Sequence, residues 1–196
     1  MVYSLAFHKI IIGNQEDWAI KGVMRGLSYF FIPSGKILVN IEAESICEGW
    51  TSTLDNLIVR AEKIMKYVDE EKNSIGVVVQ AGLVFMPGTS RPIIAVVSAI
   101  TLGFDNVALG YSLGVPIVSL GKNESFTVQL ASLLAKKSID GTIDELILDL
   151  TKGYQSLVEL AENSVKNSYI SLKLTGGRPY IALKELKENL FAVENI

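Results

Sequence analysis

Residues 74 to 82 constrain the fold more than any other stretch. Ile75-Gly76-Val77-Val78-Val79-Gln80 is almost continuously apolar and rich in β-branched side chains. A strand with one wet face alternates apolar and polar residues. A run without alternation reads as a strand covered on both faces, as in the middle of an α/β sheet. Ser74 marks its start, and Ala81-Gly82 reads as the turn that ends it. Leu83 to Phe85 and Ile93 to Ile100 read as neighbouring antiparallel strands joined by a turn at Pro87-Gly88-Thr89-Ser90. Val107 to Tyr111 is a further strand. Gly114-Val115-Pro116-Ile117 reads as a break, because proline cannot sit in a central ladder.

The other elements arrange themselves around this strand. Lys9-Ile10-Ile11-Ile12 is a short buried strand, followed by the polar loop Gly13-Asn14-Gln15-Glu16-Asp17. Ile20, Val23, Met24, Leu27, Phe30 and Phe31 recur at helical spacing, with Asp17 as the N-cap. Strand, glycine loop and helix N-terminus form a phosphate-binding geometry. Many α/β proteins carry the same turn with nothing bound. Glu16 and Asp17 also oppose a bare phosphate unless a cation lies between. Ile37 to Ile41 is a second strand, and Glu42 to Trp50 reads as polar and irregular. Leu54, Leu57, Ile58, Ala61, Ile64, Met65 and Val68 make one stripe of a long helix, which Thr51, Ser52 or Thr53 can cap. Arg60, Glu62, Lys63 and Lys66 lie off the stripe and read as a solvated face. Helices are expected over Ser125 to Lys137, over Thr142 to Val165 with an interruption near Gly153, and over Tyr180 to Phe191. Tyr169 to Leu174 alternates like a half-buried strand, with a turn at Thr175-Gly176-Gly177-Arg178-Pro179 behind it.

Composition narrows the function. The 196 residues suit a single α/β domain, 1–196, and a 49% hydrophobic share means that most elements bury a face. A formal net charge of −3 argues against nucleic-acid binding through a basic face. Cys47 and His8 are each the only residue of their type, which leaves neither a disulfide nor a Cys- or His-based metal cluster. No apolar run reaches membrane-spanning length and no signal peptide is visible, so no membrane partner is expected and a cytoplasmic setting fits.

Five short motifs, in order, resemble the inosine/xanthosine triphosphatase family of the superfamily that also holds the Maf-like and inosine triphosphate pyrophosphatase proteins. They are Ile10-Ile11-Ile12-Gly13-Asn14 with the helix behind it, and Ile41-Glu42-Ala43-Glu44-Ser45 with the helix carrying Arg60-Ala61. The others are Val77-Val78-Val79-Gln80-Ala81-Gly82, Tyr111 to Pro116, and Leu174-Thr175-Gly176-Gly177-Arg178. The resemblance implies a long, twisted mixed sheet flanked by helices, with two lobes and a cleft between them. It implies a homodimer that hydrolyses non-canonical purine nucleoside triphosphates with Mg2+, with Mn2+ as the alternative ion. By the same resemblance Gly13, Asn14, Gln15, Gln80, Ala81, Gly82, Thr175, Gly176, Gly177 and Arg178 are the nucleotide- and phosphate-binding residues.

The departures fall on charged positions. Glu16-Asp17 stand where the family has an Asn-Pro turn, and Ala19 stands where it has a phosphate-binding lysine. Lys21 lies roughly 200° around the helix from Ala19. Gln80 replaces an acid, and Trp50-Thr51-Ser52-Thr53 lacks another. Glu48 and Asp55, with Glu42 and Glu44, are the carboxylates left to hold a metal. Gln80 is either a remnant of a metal site or a buried amide satisfying backbone. Two functions follow from the resemblance: a divergent hydrolase, or an eroded descendant that binds a nucleotide or a protein. An unrelated α/β binding protein would be indicated if the strands before Gly13 and before Ala81 were not neighbours.

Overall fold

The computed structural model describes residues 9–44, 46–71, 73–85, 91–117 and 143–178. Its elements in order are β1 (Lys9–Ile12), α1 (Asp17–Ser28), β2 (Gly35–Leu38), β3 (Ile46–Glu48), α2 (Gly49–Glu70), β4 (Ser74–Val84), β5 (Ile93–Thr101), β6 (Val107–Pro116), α3 (Ile143–Leu150) and α4 (Leu157–Thr175). The architecture is α/β. Six strands form one mixed sheet in the order β2-β1-β4-β5-β6, with β3 also on β4. β1 pairs in parallel with β2 and β4, and β4, β5 and β6 pair antiparallel. The strands before Gly13 and Ala81 are therefore direct neighbours.

β4 is buried along its whole length, as its unbroken apolar run requires. It continues through Ala81-Gly82 to Val84, so these two residues form no turn. Gly82 is small for a packing reason: a Cβ there would run into Thr53 of α2. β6 likewise continues to Pro116, which lies opposite Ile93. The proline is tolerated because β6 is the outermost of the described strands and Pro116 its last residue.

Each face of the sheet has its own helices. α2 covers one face, where Leu57, Ala61, Ile64 and Met65 meet Ile11, Val78 and Val97. α1 and α4 cover the other, where Val23, Leu27, Ala161 and Val165 meet Ile10, Ile12, Val77 and Val79. α1 and α4 also lie directly against one another. A Cβ on Gly22 would clash with Ala161, and one on Gly26 would stand 2.9 Å from Val165 Cβ. α1 stops at Ser28, and Phe30 reaches Tyr169 from beyond its end, the ring centroids 4.3 Å apart.

Several sequence expectations are corrected. Residues 169–174 are helix, the last turns of α4, so Leu174 is 81% exposed instead of buried. In 169–174 the apolar Ile170, Leu172 and Leu174 alternate with Tyr169, Ser171 and Lys173, which imitates a strand, but Ile170 and Leu174 face solvent while Tyr169 and Leu172 continue the inward stripe of Leu157, Leu160, Ala161 and Val165. Ser164 and Ser168 are buried with that stripe. Both serines satisfy their hydroxyls locally, on Ala161 O and Val165 O, and Ser168 also accepts from Ser98. The stretch read as helical over 142–165 divides near Gly153, as expected, into two helices. A capping box at Ser156 and Glu159 starts the second, and Asp144 accepts from Leu157 N and Val158 N. β3 occupies part of the stretch read as irregular, and β2 sits at 35–38 instead of 37–41. Neither Asp17 nor a residue of Thr51–Thr53 is an N-cap: Glu16 and Glu48 hold those positions. The helices expected over 125–137 and 180–191 lie outside the described residues, as does Leu130.

Candidate functional site

β1 and β3 lie end to end along the same edge of β4. Ile12 is opposite Val77, and Ile46 is opposite Ala81. Gly13 N donates to Val77 O at 3.0 Å, after which the chain leaves the sheet. Val79 then has no strand beside it on this edge, and the Asn14 side chain takes that place. Its Nδ2 donates to Val79 O at 2.9 Å, and its Oδ1 accepts from Val79 N at 2.9 Å. Both groups are buried, so this pairing satisfies backbone atoms that water cannot reach. Gly13 serves packing too: a Cβ there would stand 2.6 Å from Val78 Cγ1 and 2.7 Å from Ile64 Cγ1.

The reversal at Asn14 carries Glu16 over the sheet edge toward α2. Arg60 of α2 is not on a solvated face. It is 1% exposed and forms an ion pair with Glu16, Nη2 donating to Oε1 at 3.2 Å. The other carboxylate oxygen, Oε2, accepts from Asn14 Nδ2 at 3.3 Å and from Gln15 N at 3.2 Å. Burial pushes the Glu16 carboxyl up, but the hydrogen bond and charge of Arg60, helped by Asn14, outweigh this and hold it below its usual value. Arg60 Nε and Nη1 are buried and have no hydrogen-bond acceptor among the described residues. An unsatisfied buried donor costs about 1–3 kcal/mol, and this guanidinium has more N–H groups to donate than Glu16 accepts from.

The polar cluster continues to Gln80. Its Nε2 donates to Glu44 O at 2.8 Å and to Ala81 O at 3.1 Å, and lies 3.4 Å from Cys47 Sγ. Its buried Oε1 has no donor. Gln80 is thus a buried amide satisfying backbone. Asn56 Nδ2 also reaches Cys47 Sγ, at 3.3 Å. Burial, with the Glu44 carboxylate nearby, pushes the Cys47 thiol up to about 11.

On the solvent side of Glu16 lies an open cavity of about 260 Å³, lined by Glu16, Asp17, Trp18, Lys21, Asp144 and two aliphatic side chains. Trp18 is 5% exposed and its buried Nε1 has no acceptor. Lys21 is exposed, whereas Ala19 faces the core. A lysine at position 19 would point into that core.

The structure brings together Asn14, Gln15 and Gln80 around Glu16, Arg60 and Cys47. It does not bring Thr175–Arg178 to them. Thr175 ends α4, and Gly176 is its left-handed C-cap at φ 74°. Arg178 then pairs with Val107 on the outer side of β6. From β1 that is four strand spacings across the sheet, roughly 19 Å. The N–H groups of Gly13 and Gln15, expected to face a phosphate, are taken by Val77 O and Glu16 Oε2. Ala81 and Gly82 are mid-strand, pairing with β3 and β5. Glu48 is exposed at the start of α2 and Asp55 is half-buried about two turns later. Among the described residues no three His, Cys, Asp or Glu side chains are grouped to hold a metal ion. Sequence reasoning missed Arg60, whose signal was one charged residue flanked by stripe positions Leu57, Ala61 and Ile64 on a helix.

No protein-family model matches the chain. No curated protein matches it. Among solved structures, the chain is similar to protein VC0702 from Vibrio cholerae, at 14% identity and a TM-score of 0.57, over 85% of this chain and 95% of that one. The likeness is one of fold.

Proposed function

We propose that this chain binds a purine nucleoside triphosphate as a relative of the inosine/xanthosine triphosphatases in which hydrolysis has eroded. The observation that carries the reading is the Arg60 guanidinium. It is buried at the end of β1, beside a strand-to-helix reversal, with Nε and Nη1 unpartnered. A phosphoryl group supplies the charge and the oxygen acceptors such a donor needs. Ligands of open α/β sheets sit beyond strand ends, which is where Glu16 and the neighbouring cavity lie.

Catalysis is the weaker half of the resemblance. The residue in the lysine place, Ala19, belongs to the core, and the residue in the acid place, Gln80, is engaged with Glu44 O. Losing one charge-stabilising donor typically costs a factor of about 10² to 10³ in rate. Magnesium rests on one or two carboxylates plus the phosphates, so it would enter chiefly with the triphosphate.

The test is calorimetric titration with inosine, xanthosine and adenosine triphosphates in magnesium, beside an assay for released phosphate and pyrophosphate. Binding that Arg60→Met weakens tenfold or more, with little or no turnover, is the expected result. Rapid metal-dependent turnover would refute the erosion, and no binding of any triphosphate would refute the site.

A further inference from the structure

We infer that the Glu16 carboxylate is a built-in placeholder for the ligand's anion, occupying the nest that an incoming phosphoryl group takes and giving it up on binding. The inference rests on the reading of Arg60 as the anion-binding group. Glu16 is held as a bound anion is held: Arg60 Nη2 donates to one oxygen, and Asn14 Nδ2 and Gln15 N donate to the other. The donors come from a helix, a side-chain amide and a backbone N–H, which is the mixture that cradles oxyanions.

Access to the pair is one-sided. The Arg60 side chain is 2% exposed and that of Glu16 is 20% exposed. Only Glu16 borders the open cavity, so an anion arriving from solvent meets the carboxylate before the guanidinium. Glu16 also has somewhere to go. It is the N-cap residue of α1, yet its side chain makes no cap hydrogen bond. A carboxylate at that position ordinarily accepts from the N–H groups of the first turn. Rotating from Arg60 to that cap exchanges one set of donors for another and leaves the guanidinium free. Lys21, on the cavity wall, is placed to meet the remaining charge of the ligand. Two resting places for one carboxylate, one of which blocks the site, make a competitive latch.

Inorganic pyrophosphate is the probe, titrated calorimetrically into the wild-type chain, Glu16→Gln, Glu16→Ala and Arg60→Met. Removing the competing charge in Glu16→Gln and Glu16→Ala should tighten binding roughly tenfold or more, and Arg60→Met should abolish it. Glu16→Gln keeps the side-chain shape, so it decides the matter even if Glu16→Ala does not fold. Wild-type binding that depends on Arg60 but does not tighten in Glu16→Gln overturns the latch and leaves the anion site standing. Binding by the Glu16 variants alone supports both. Binding by none overturns both.

Discussion

Asn14 and Val79 are joined as two strand residues would be, although Asn14 contributes only its side chain. Its amide donates to Val79 O and accepts from Val79 N, each at 2.9 Å. It fills the gap in the β4 edge between the end of β1 and the start of β3. An amide is the one side-chain group with the donor–acceptor pair of a peptide unit.

Asn14→Ala should therefore destabilise the fold by about 2–4 kcal/mol, because it leaves a buried N–H and a buried C=O unpaired. Asn14→Asp keeps the acceptor and loses the donor, and adds a charge beside Glu16. It should be at least as damaging. Denaturant midpoints measure both. A cost below about 0.5 kcal/mol for Asn14→Ala would mean that the edge is satisfied in some other way.

The Glu16–Arg60 pair should respond asymmetrically to truncation. Glu16→Ala leaves a cation buried without its counter-charge, and breaking a buried pair in that way costs about 3–5 kcal/mol. Solvent reaches Glu16, which lowers the expected cost to about 2–3 kcal/mol. Arg60→Met removes the buried charge itself and should cost less. Equal losses in chemical denaturation would contradict the burial difference between the partners.

The same pair sets an acid limit. The folded pKa of Glu16 is depressed below its ordinary value of 4.5. The folded chain thus holds this carboxyl's proton less tightly than the unfolded chain does. The stability it contributes is complete above 4.5 and is lost as pH falls through the folded value. Thermal melting from pH 6 to pH 2.5 should show a steep acid arm in the wild type. That arm should be shallower in Arg60→Met, and identical arms would rule out Glu16 as a source.

Cys47 should be inert in the native protein. It is fully buried, and its thiol is pushed up to about 11, so at pH 8 the thiolate fraction is on the order of 10⁻³. Alkylation by iodoacetamide should run at least about a hundredfold slower than for free cysteine until denaturant unfolds the chain. Rapid native labelling would show that the cluster around Gln80 opens readily.

Gly22→Ala and Gly26→Ala should each destabilise by about 1–3 kcal/mol, although alanine favours helix. A methyl group at either position enters space held by α4. A melting temperature unchanged in both variants would contradict the closeness of the two helices.

What could be read from the amino-acid order follows the physics of each segment. β4 was legible because continuous β-branched apolar character has few other uses, and the α2 stripe because its period is long and clean. The end of β4 was not, because Ala81-Gly82 looks like a turn until Thr53 is known to pack against it. The end of α4 was obscured by Ile170 and Leu174, exposed apolar residues that alternate with Ser171 and Lys173 as a strand would. Gly13 to Gln15 was recognisable as the reversal into a site, but its N–H groups face Val77 and Glu16. Arg60 was the greatest loss. A charge on a helix is ordinarily solvated, and only the return of Glu16 from a distant loop makes its burial affordable.

The close seating of α1 on α4 also governs how the chain folds. Gly22 and Gly26 belong to the first helix described, while Ala161 and Val165 belong to the last one described. Of this pair of helices, only α1 covers the apolar face of β1 and β4 until α4 is in place. The contact of α1 with α4 joins elements far apart in sequence, so it is expected to form later than the more local packing of α2 on its own face of the sheet.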